Sequence, residues 1–353
     1  MESVKMIKDL ATAFGAPGFE DEVVAIARRY APAGAGIVED SMRNLFICPK
    51  GEADPSLPTV LVDAHSDELG LMVQAIMSNG NIVFTYLGDW VPGALSSQKV
   101  SIKNLDGELI TGIVATKPPH FGGEESLPNL SAMIIDIGAT SYEEVTETFK
   151  IAPACPIVPY TDFSYDALHD IMMSKAFDCR LGCAAVLEVM HEVKDLQLNV
   201  NAVGALSAQE EIGIRGAHIV ANRVKPDIAI CFEGCPADDT FAQPHLMQTR
   251  LKHGPMLRHL DQGMVTNPRF MRFALDLAKE FHIPVQEAVR TGGRTNGAVY
   301  HLSNMGVPTI VIGLPVRYVH SHNSIASFAD YKKGVQLAIE VIKALNYEKI
   351  TSF

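Results

Sequence analysis

No stretch of the chain gathers lysine and arginine into a basic run, and the formal net charge of -12 opposes any partner held through phosphates. Such affinity comes from Lys and Arg displacing counterions, so no nucleic-acid partner is expected. Long apolar runs are missing as well, none approaching the roughly eighteen residues of a membrane span. The opening M-E-S-V-K-M-I-K-D-L lacks the uncharged apolar core of a signal peptide. A cytoplasmic protein with no membrane partner is the expectation. Cysteine is scarce, six among 353 residues, and Cys179 with Cys183, or Cys231 with Cys235, lack the C-x-x-C spacing of zinc ribbons and redox pairs. Reduced, mostly buried thiols are expected. No G-x-S-x-G elbow occurs and no cysteine has a recognised catalytic context, which removes support for a serine or cysteine peptidase. The glycine-rich G-G-R-T-N-G (292 to 297) lacks the Gly-Lys-Ser/Thr ending of a phosphate loop.

What is present suits a soluble globular protein: 47% hydrophobic and 20% charged residues leave room for a sizeable core. The length calls for one large domain with an insertion, or for two domains. Four apolar runs read as short, fully buried strands: 59 to 65, 200 to 208, 227 to 233 and 308 to 314. Helical spacing marks Leu181 to Val193, Phe270 to Phe281 and Gly334 to Leu345. This alternation predicts an α/β fold, a mixed, mostly parallel sheet flanked by helices. From about Gly70 to Val158 the pattern changes to hairpins, at Ser78-Asn79-Gly80-Asn81 and Leu105-Asp106-Gly107, with helical periodicity only over 142 to 149. This segment reads as a small, mostly β domain inserted after the first strand, giving a catalytic unit of residues 1–69 and 159–353 and an insert of 70–158.

In open α/β sheets the ligand sits beyond the carboxyl ends of the strands. Those ends carry Asp63, His65 and Asp67, then Glu210 and Glu211, then Glu233, then His320. Any one alone reads as an ordinary hydrogen-bonded or solvated side chain; the coincidence across four strands points to metal. Asp178 begins a helical run, which suits an N-cap, yet it would also lie near the cluster, and a carboxylate has oxygens for both roles. The set exceeds one zinc's needs and suits two divalent ions sharing a carboxylate, with Zn, Co or Mn favoured by oxygen and imidazole donors. Such a pair makes a bound water acidic enough to act as hydroxide near neutral pH and polarises a carbonyl, so hydrolysis is the natural reaction. Adjacent glutamates then divide the work: one ligates, while the other moves the proton from the attacking water to the leaving group.

These residues resemble the M42 family of metallo-aminopeptidases, which includes the tetrahedral and glutamyl aminopeptidases. The likeness runs through G-A-P-G-F-E (15 to 20), D-A-H-S-D-E-L-G (63 to 70), K-P-P-H (117 to 120), K-A-F-D-C-R-L-G (175 to 182), A-Q-E-E-I-G-I-R-G-A (208 to 217), E-G-C-P-A-D-D-T (233 to 240) and R-Y-V-H-S (317 to 321). The resemblance implies a zinc-peptidase type of fold with a β-barrel-like insert that dimerises, the dimers building a dodecameric homo-oligomer that admits peptides. It also implies that His65 and Glu233 complete one metal site, that Glu211 and His320 complete the other, and that Asp178 bridges them. Glu210 would be the general base and Asp67, on the strand face of His65, would orient that ligand. Three positions depart from the family pattern. Cys179 replaces Asp or Asn, either altering metal preference and oxidation sensitivity or simply packing beneath the site. His322 stands in a segment that lost a Pro and a carboxylate, and is either an extra pocket group or a plain surface residue, the surface being the expectation; Asn296 holds an Asp position.

The leading expectation is therefore a dinuclear aminopeptidase acting on peptide N-termini, the free-amine requirement coming from the resemblance alone. The rival is an M20-like metal-dependent carboxypeptidase or deacylase; a non-catalytic peptide-binding or assembly protein is the alternative of another class. A glucanase label carried by some relatives finds no support, because glycoside hydrolysis normally uses a carboxylate pair without metal. Arg294, Arg317 and His322 suggest a preference for acidic side chains.

Overall fold

Continuous apolar runs make strands that must be covered on both faces. The computed structural model of the protein, which describes residues 2–115, 120 and 133–353, places the four runs side by side. In spatial order they are Asn201–Ser207, Thr59–His65, Ile228–Pro236 and Thr309–Arg317, each parallel to its neighbour. Ser207 pairs with His65 and Cys231 with Asp63, so the carboxyl ends open along one edge. Val60, Val62 and Ala64 enter a core shared with helix Phe177–Val193, whereas Leu61 joins a second core with Ala217, Val220 and Ala221 of helix Arg215–Val224. Alternate side chains thus meet helices on opposite faces, and Asp63 is the one charged side chain buried within the Val60–Ala64 stretch.

Shorter strands, all but Gln286–Val289 paired antiparallel to the sheet, finish it. Leu45–Cys48 and Gly36–Glu39 lie at one margin; Ser324–Ala326, Ile171–Ser174 and Ser164–Asp166 lie at the other. Met256–Leu260, paired with Gln286–Val289, also joins Thr309–Arg317, making eleven strands among the described residues. The expected helices are the later parts of Phe177–Val193, Pro268–Glu280 and Phe328–Ala344. The last two start earlier than their apolar spacing suggests because caps set them: Asn267 accepts from the Arg269 and Phe270 N–H groups, and Ser327 from that of Asp330. Helices Glu2–Thr12, Asp21–Tyr30 and Arg215–Val224 were not anticipated.

Six strands, Gly70–Ile76, Ile82–Leu87, Lys99–Lys103, Leu109–Val114, Ile134–Asp136 and Pro156–Pro159, close into an antiparallel barrel. Its core gathers Leu71, Val73, Ile82, Val100, Ile102 and Ile157. Both hairpins fall at the Asn-Gly and Asp-Gly signals, with Gly80 and Gly107 at φ +87° and +82°, where a glycine carries no steric penalty. The helical signal over 142–149 is a single π-helical turn, Glu144–Thr148. Lys117, Pro118 and Pro119 of the K-P-P-H motif lie outside the described residues, as do Met1 and 121–132.

Barrel and sheet interlock through the loop after Thr309–Arg317. His322, expected at the surface, is 2% exposed. Its Nε2–H donates to the Lys99 carbonyl at 3.0 Å, and its ring lies 5.7 Å from that of Trp90. The apolar surroundings that bury it push its pKa down to about 4, so the folded protein holds it neutral. An unfolded chain protonates it near 6.5, so stability present above that pH falls as pH drops through the window toward 4, by up to about 3 kcal/mol. Urea midpoints from pH 7 to 4 should therefore fall more steeply for the wild type than for His322→Leu. Parallel slopes would show that this ring carries no pH-linked stability.

Candidate metal centre

The open edge of the sheet collects the predicted side chains. His65 is the last residue of its strand. Its Nδ1 faces two acceptors, the Asp67 carbonyl at 3.2 Å and Asp67 Oδ1 at 3.4 Å, and therefore carries the proton. Nε2 is left facing Asp178 Oδ1 at 3.1 Å. Asp178, at φ -86° and ψ 106°, has the extended backbone an N-cap would have, but among the described residues its side chain makes no capping bond. Its second oxygen lies 3.7 Å from His320 Nε2, which is also 3.7 Å from Glu211 Oε2. His320 Nδ1–H donates to the Asp89 carbonyl at 2.8 Å, so a residue just after the barrel strand Ile82–Leu87 fixes this ring. Glu233 comes from within Ile228–Pro236. The next residue must be glycine, since a Cβ on Gly234 would stand 2.6 Å from the Asp178 Cα.

Glu210 and Glu211 lie beyond the end of Asn201–Ser207, in a turn, so strand alternation does not separate them. Their backbones share one partner after all: the two N–H groups donate to Asp67 Oδ1 and Oδ2 at 2.9 and 3.0 Å. Asp67 itself sits past the strand and reaches both His65 and this turn, a wider reach than orientation of His65 alone. One residue earlier, the Gln209 N–H donates to Glu20 Oε1 at 3.1 Å. Asp63 stays out of the centre, buried inside its strand, where Asn296 Nδ2 donates to Asp63 Oδ2 at 2.6 Å and to Ser207 Oγ at 2.7 Å. Arg317 is held by two bonds to Asp239, at 2.8 and 2.7 Å, and does not line the cleft.

Behind the ligands lies a charged scaffold of Glu68, Lys175 and Arg180, drawn from the D-A-H-S-D-E-L-G and K-A-F-D-C-R-L-G motifs. Glu68 Oε2 accepts from Lys175 Nζ at 2.6 Å, and Arg180 Nη2 lies 3.3 Å from Glu68 Oε1, all three side chains at most 3% exposed. Arg180 also donates to the carbonyls of Ser66, Leu10, Ala13 and Gly15. The only signal for this scaffold was charge inside otherwise buried motifs.

The donors fall into two groups, His65, Asp178, Cys179 and Glu233, and then Asp178, Glu211 and His320, with ligand atoms inside each group within 4.8 Å of one another. Among the described residues no lysine or arginine pairs with these carboxylates. Burial pushes Glu211 and Glu233 well above the usual carboxylate range, the Asp178 charge adding to both, and pushes Glu210 up to about 7. Burial disfavours the His320 cation, but Asp178 and Glu211 outweigh it and raise its pKa to about 9. Buried carboxylates crowded around two imidazoles are a donor set in need of positive charge, and divalent cations fit it. The centre opens into a cleft of about 980 Å³, whose lining includes Arg258, Arg290 and Arg294.

The family model described as M42 glutamyl aminopeptidase matches residues 44–337. The chain belongs to this family. A glutamyl aminopeptidase of Lactococcus lactis subsp. cremoris is 31% identical over 355 residues, spanning 99% of this chain and 98% of that one. A TET aminopeptidase from a marine-sediment Thaumarchaeota archaeon, SCGC AB-539-E09, superposes with a TM-score of 0.93 at 34% identity, over 99% of this chain and 98% of that one. A TET1 peptidase of Pyrococcus horikoshii, which can assemble into a tetrahedron or a large octahedral shell, shares the fold with a TM-score of 0.87 at 24% identity, over 97% and 100%. The M42 chain described here is thus an aminopeptidase by family, with the family's sheet and barrel. None of its described helices is long and apolar enough to cross a membrane.

Proposed function

We propose that this M42 aminopeptidase is a dinuclear metal enzyme that cleaves the N-terminal bond of short peptides. His65, Asp178 and Glu233 hold one divalent cation; Asp178, Glu211 and His320 hold the other. The observation that carries this reading is Asp178, which belongs to both donor groups and turns one oxygen toward each histidine. Zn or Co suits these donors best, and Mn is compatible. Two such ions, when bound, acidify an attacking water and polarise the scissile carbonyl. Glu210, in the cleft wall but in neither donor group, takes the water's proton and passes it to the leaving amine. Asp67 orients His65 and holds the Glu210–Glu211 turn through its backbone.

Arg294 gives the cleft its preference. Arg258 and Arg290 are neutralised by Asp261 and Asp238, while Arg294 lines the same cleft, exposed and with no ion pair among the described residues. An acidic first side chain finds a counter-charge there, in keeping with the glutamyl aminopeptidase of Lactococcus. The barrel serves as the dimerisation domain, its strand Leu109–Val114 exposing Leu109 and Ile113 outward, and the dimers build a dodecamer in the cytoplasm.

Hydrolysis of free aminoacyl amides beside their N-acetyl counterparts tests this reading, using protein loaded with Zn or Co and the same protein after chelation. The expected result is metal-dependent cleavage of the free set only, Glu ahead of Lys, by a dodecamer in light scattering. Cleavage of the acetylated set would move the chain toward an M20-like carboxypeptidase or deacylase, and silence on both toward a peptide-binding protein.

A further inference from the structure

The two donor groups are not equivalent. One contains only imidazole and carboxylate; the other contains a thiol, and that thiol is Cys179. Its sulfur is completely buried, and the only bond described for it is a long contact of 3.4 Å to the Phe232 carbonyl. That carbonyl immediately precedes Glu233, so the sulfur lies against the strand segment that carries one ligand while its own backbone follows Asp178, which carries another. Packing fixes it there. A Cβ on Gly182 would collide with the sulfur, and would stand 2.9 Å from the Ala64 Cβ and 3.2 Å from the Phe232 Cβ. The glycine opens room for the sulfur beneath the centre.

Cys183, one helical turn on, provides an internal contrast. It is equally buried, but its sulfur lies 3.0 Å from the His65 carbonyl and belongs to neither donor group. Burial of a thiol near the centre therefore does not by itself put sulfur among the donors; the position of Cys179 does.

We propose that Cys179 is a fourth protein ligand at the His65–Asp178–Glu233 position, which makes that position a mixed nitrogen, oxygen and sulfur site while its neighbour stays nitrogen and oxygen only. The inference rests on the two-cation reading above and adds an asymmetry to it. On ligation the S–H bond breaks, the proton leaves to solvent, and the sulfur electron pair enters the bond to the cation, with no change in oxidation state. A softer donor steers Zn, Co or Cd to this position and away from Mn or Mg, so the two ions become distinguishable.

Cobalt titration followed by absorption spectroscopy tests the assignment without reference to activity. Wild-type protein and Cys183→Ser should each bind two Co ions per chain and show a sulfur-to-cobalt charge-transfer band that saturates with one equivalent. Cys179→Ser should keep two bound ions and lose the band. Because that variant can fail to fold, X-ray absorption on the zinc-loaded wild type is the parallel measurement, with a Zn–S distance of about 2.3 Å expected. Two bound ions with neither the band nor the sulfur scatterer would overturn the Cys179 assignment and leave the two-cation centre standing. One ion with the band would retain the thiolate and overturn the pair, and no binding would overturn both.

Discussion

Glu210→Gln is expected to lower kcat by about 10²–10⁴-fold, the range of one general acid–base group, with KM changed by only a few-fold. The amide keeps the size and hydrogen-bonding reach of the carboxylate but cannot accept a proton at neutral pH. Metal content should stay at the wild-type level, because Glu210 belongs to neither donor group. The turn should hold its shape too, since Asp67 grips the backbone N–H and not the side chain. Burial, reinforced by the Asp67 and Asp178 charges, pushes Glu210 up to about 7. Cations beside it favour the ionised form and pull that value down. A base works deprotonated, so wild-type kcat should rise with pH along a limb centred below 7, and this limb should vanish in the variant. A loss of under tenfold with the limb intact would assign the proton transfer to another group.

The second large effect concerns stability. Glu68→Gln should cost about 3–5 kcal/mol, because it removes the carboxylate that, alone among the described residues, is ion-paired with both buried cations. Lys175 has an escape: burial already pushes its pKa down against the pull of Glu68, and without Glu68 it can shed its proton. Arg180 has none, being fully buried and always charged. Its carbonyl acceptors at Leu10, Ala13, Gly15 and Ser66 hold the guanidinium in place but supply no negative charge. The double variant Glu68→Gln/Lys175→Met should recover part of the loss, with a coupling of about 0.5–3 kcal/mol. Guanidinium unfolding of the four proteins reads this directly. Additive costs would mean that the three side chains do not act as a unit.

The parallel centre of the sheet was legible because a strand covered on both faces must be largely apolar, and four segments are, with Asp63 and Glu233 as buried charged exceptions. The barrel's hairpins were legible from Asn79-Gly80 and Asp106-Gly107. The marginal strands and the first two helices were not, since short edge strands carry little periodicity. At the centre, the residues brought together are Asp178 and those the strand ends predicted, except Asp63, which lies fully buried inside its strand and takes Asn296 as its partner. What the sequence could not convey was depth. His322 looked like a surface residue because the usual Pro and carboxylate are missing, yet Trp90, from a distant part of the chain, covers it. Glu20 and Asp89 act through a single hydrogen bond each to a turn and a ring far away in sequence, and no local pattern encodes such a contact.

The hydrogen bond from His320 to the Asp89 carbonyl bears on modularity. The barrel looks like a detachable accessory, with its own strands and its own core, and a shortened enzyme made by replacing it with a linker is an obvious engineering target. Excision would remove the acceptor that keeps the His320 Nδ1 protonated and its Nε2 turned toward Asp178 and Glu211. The two units are separate as architecture and inseparable as chemistry.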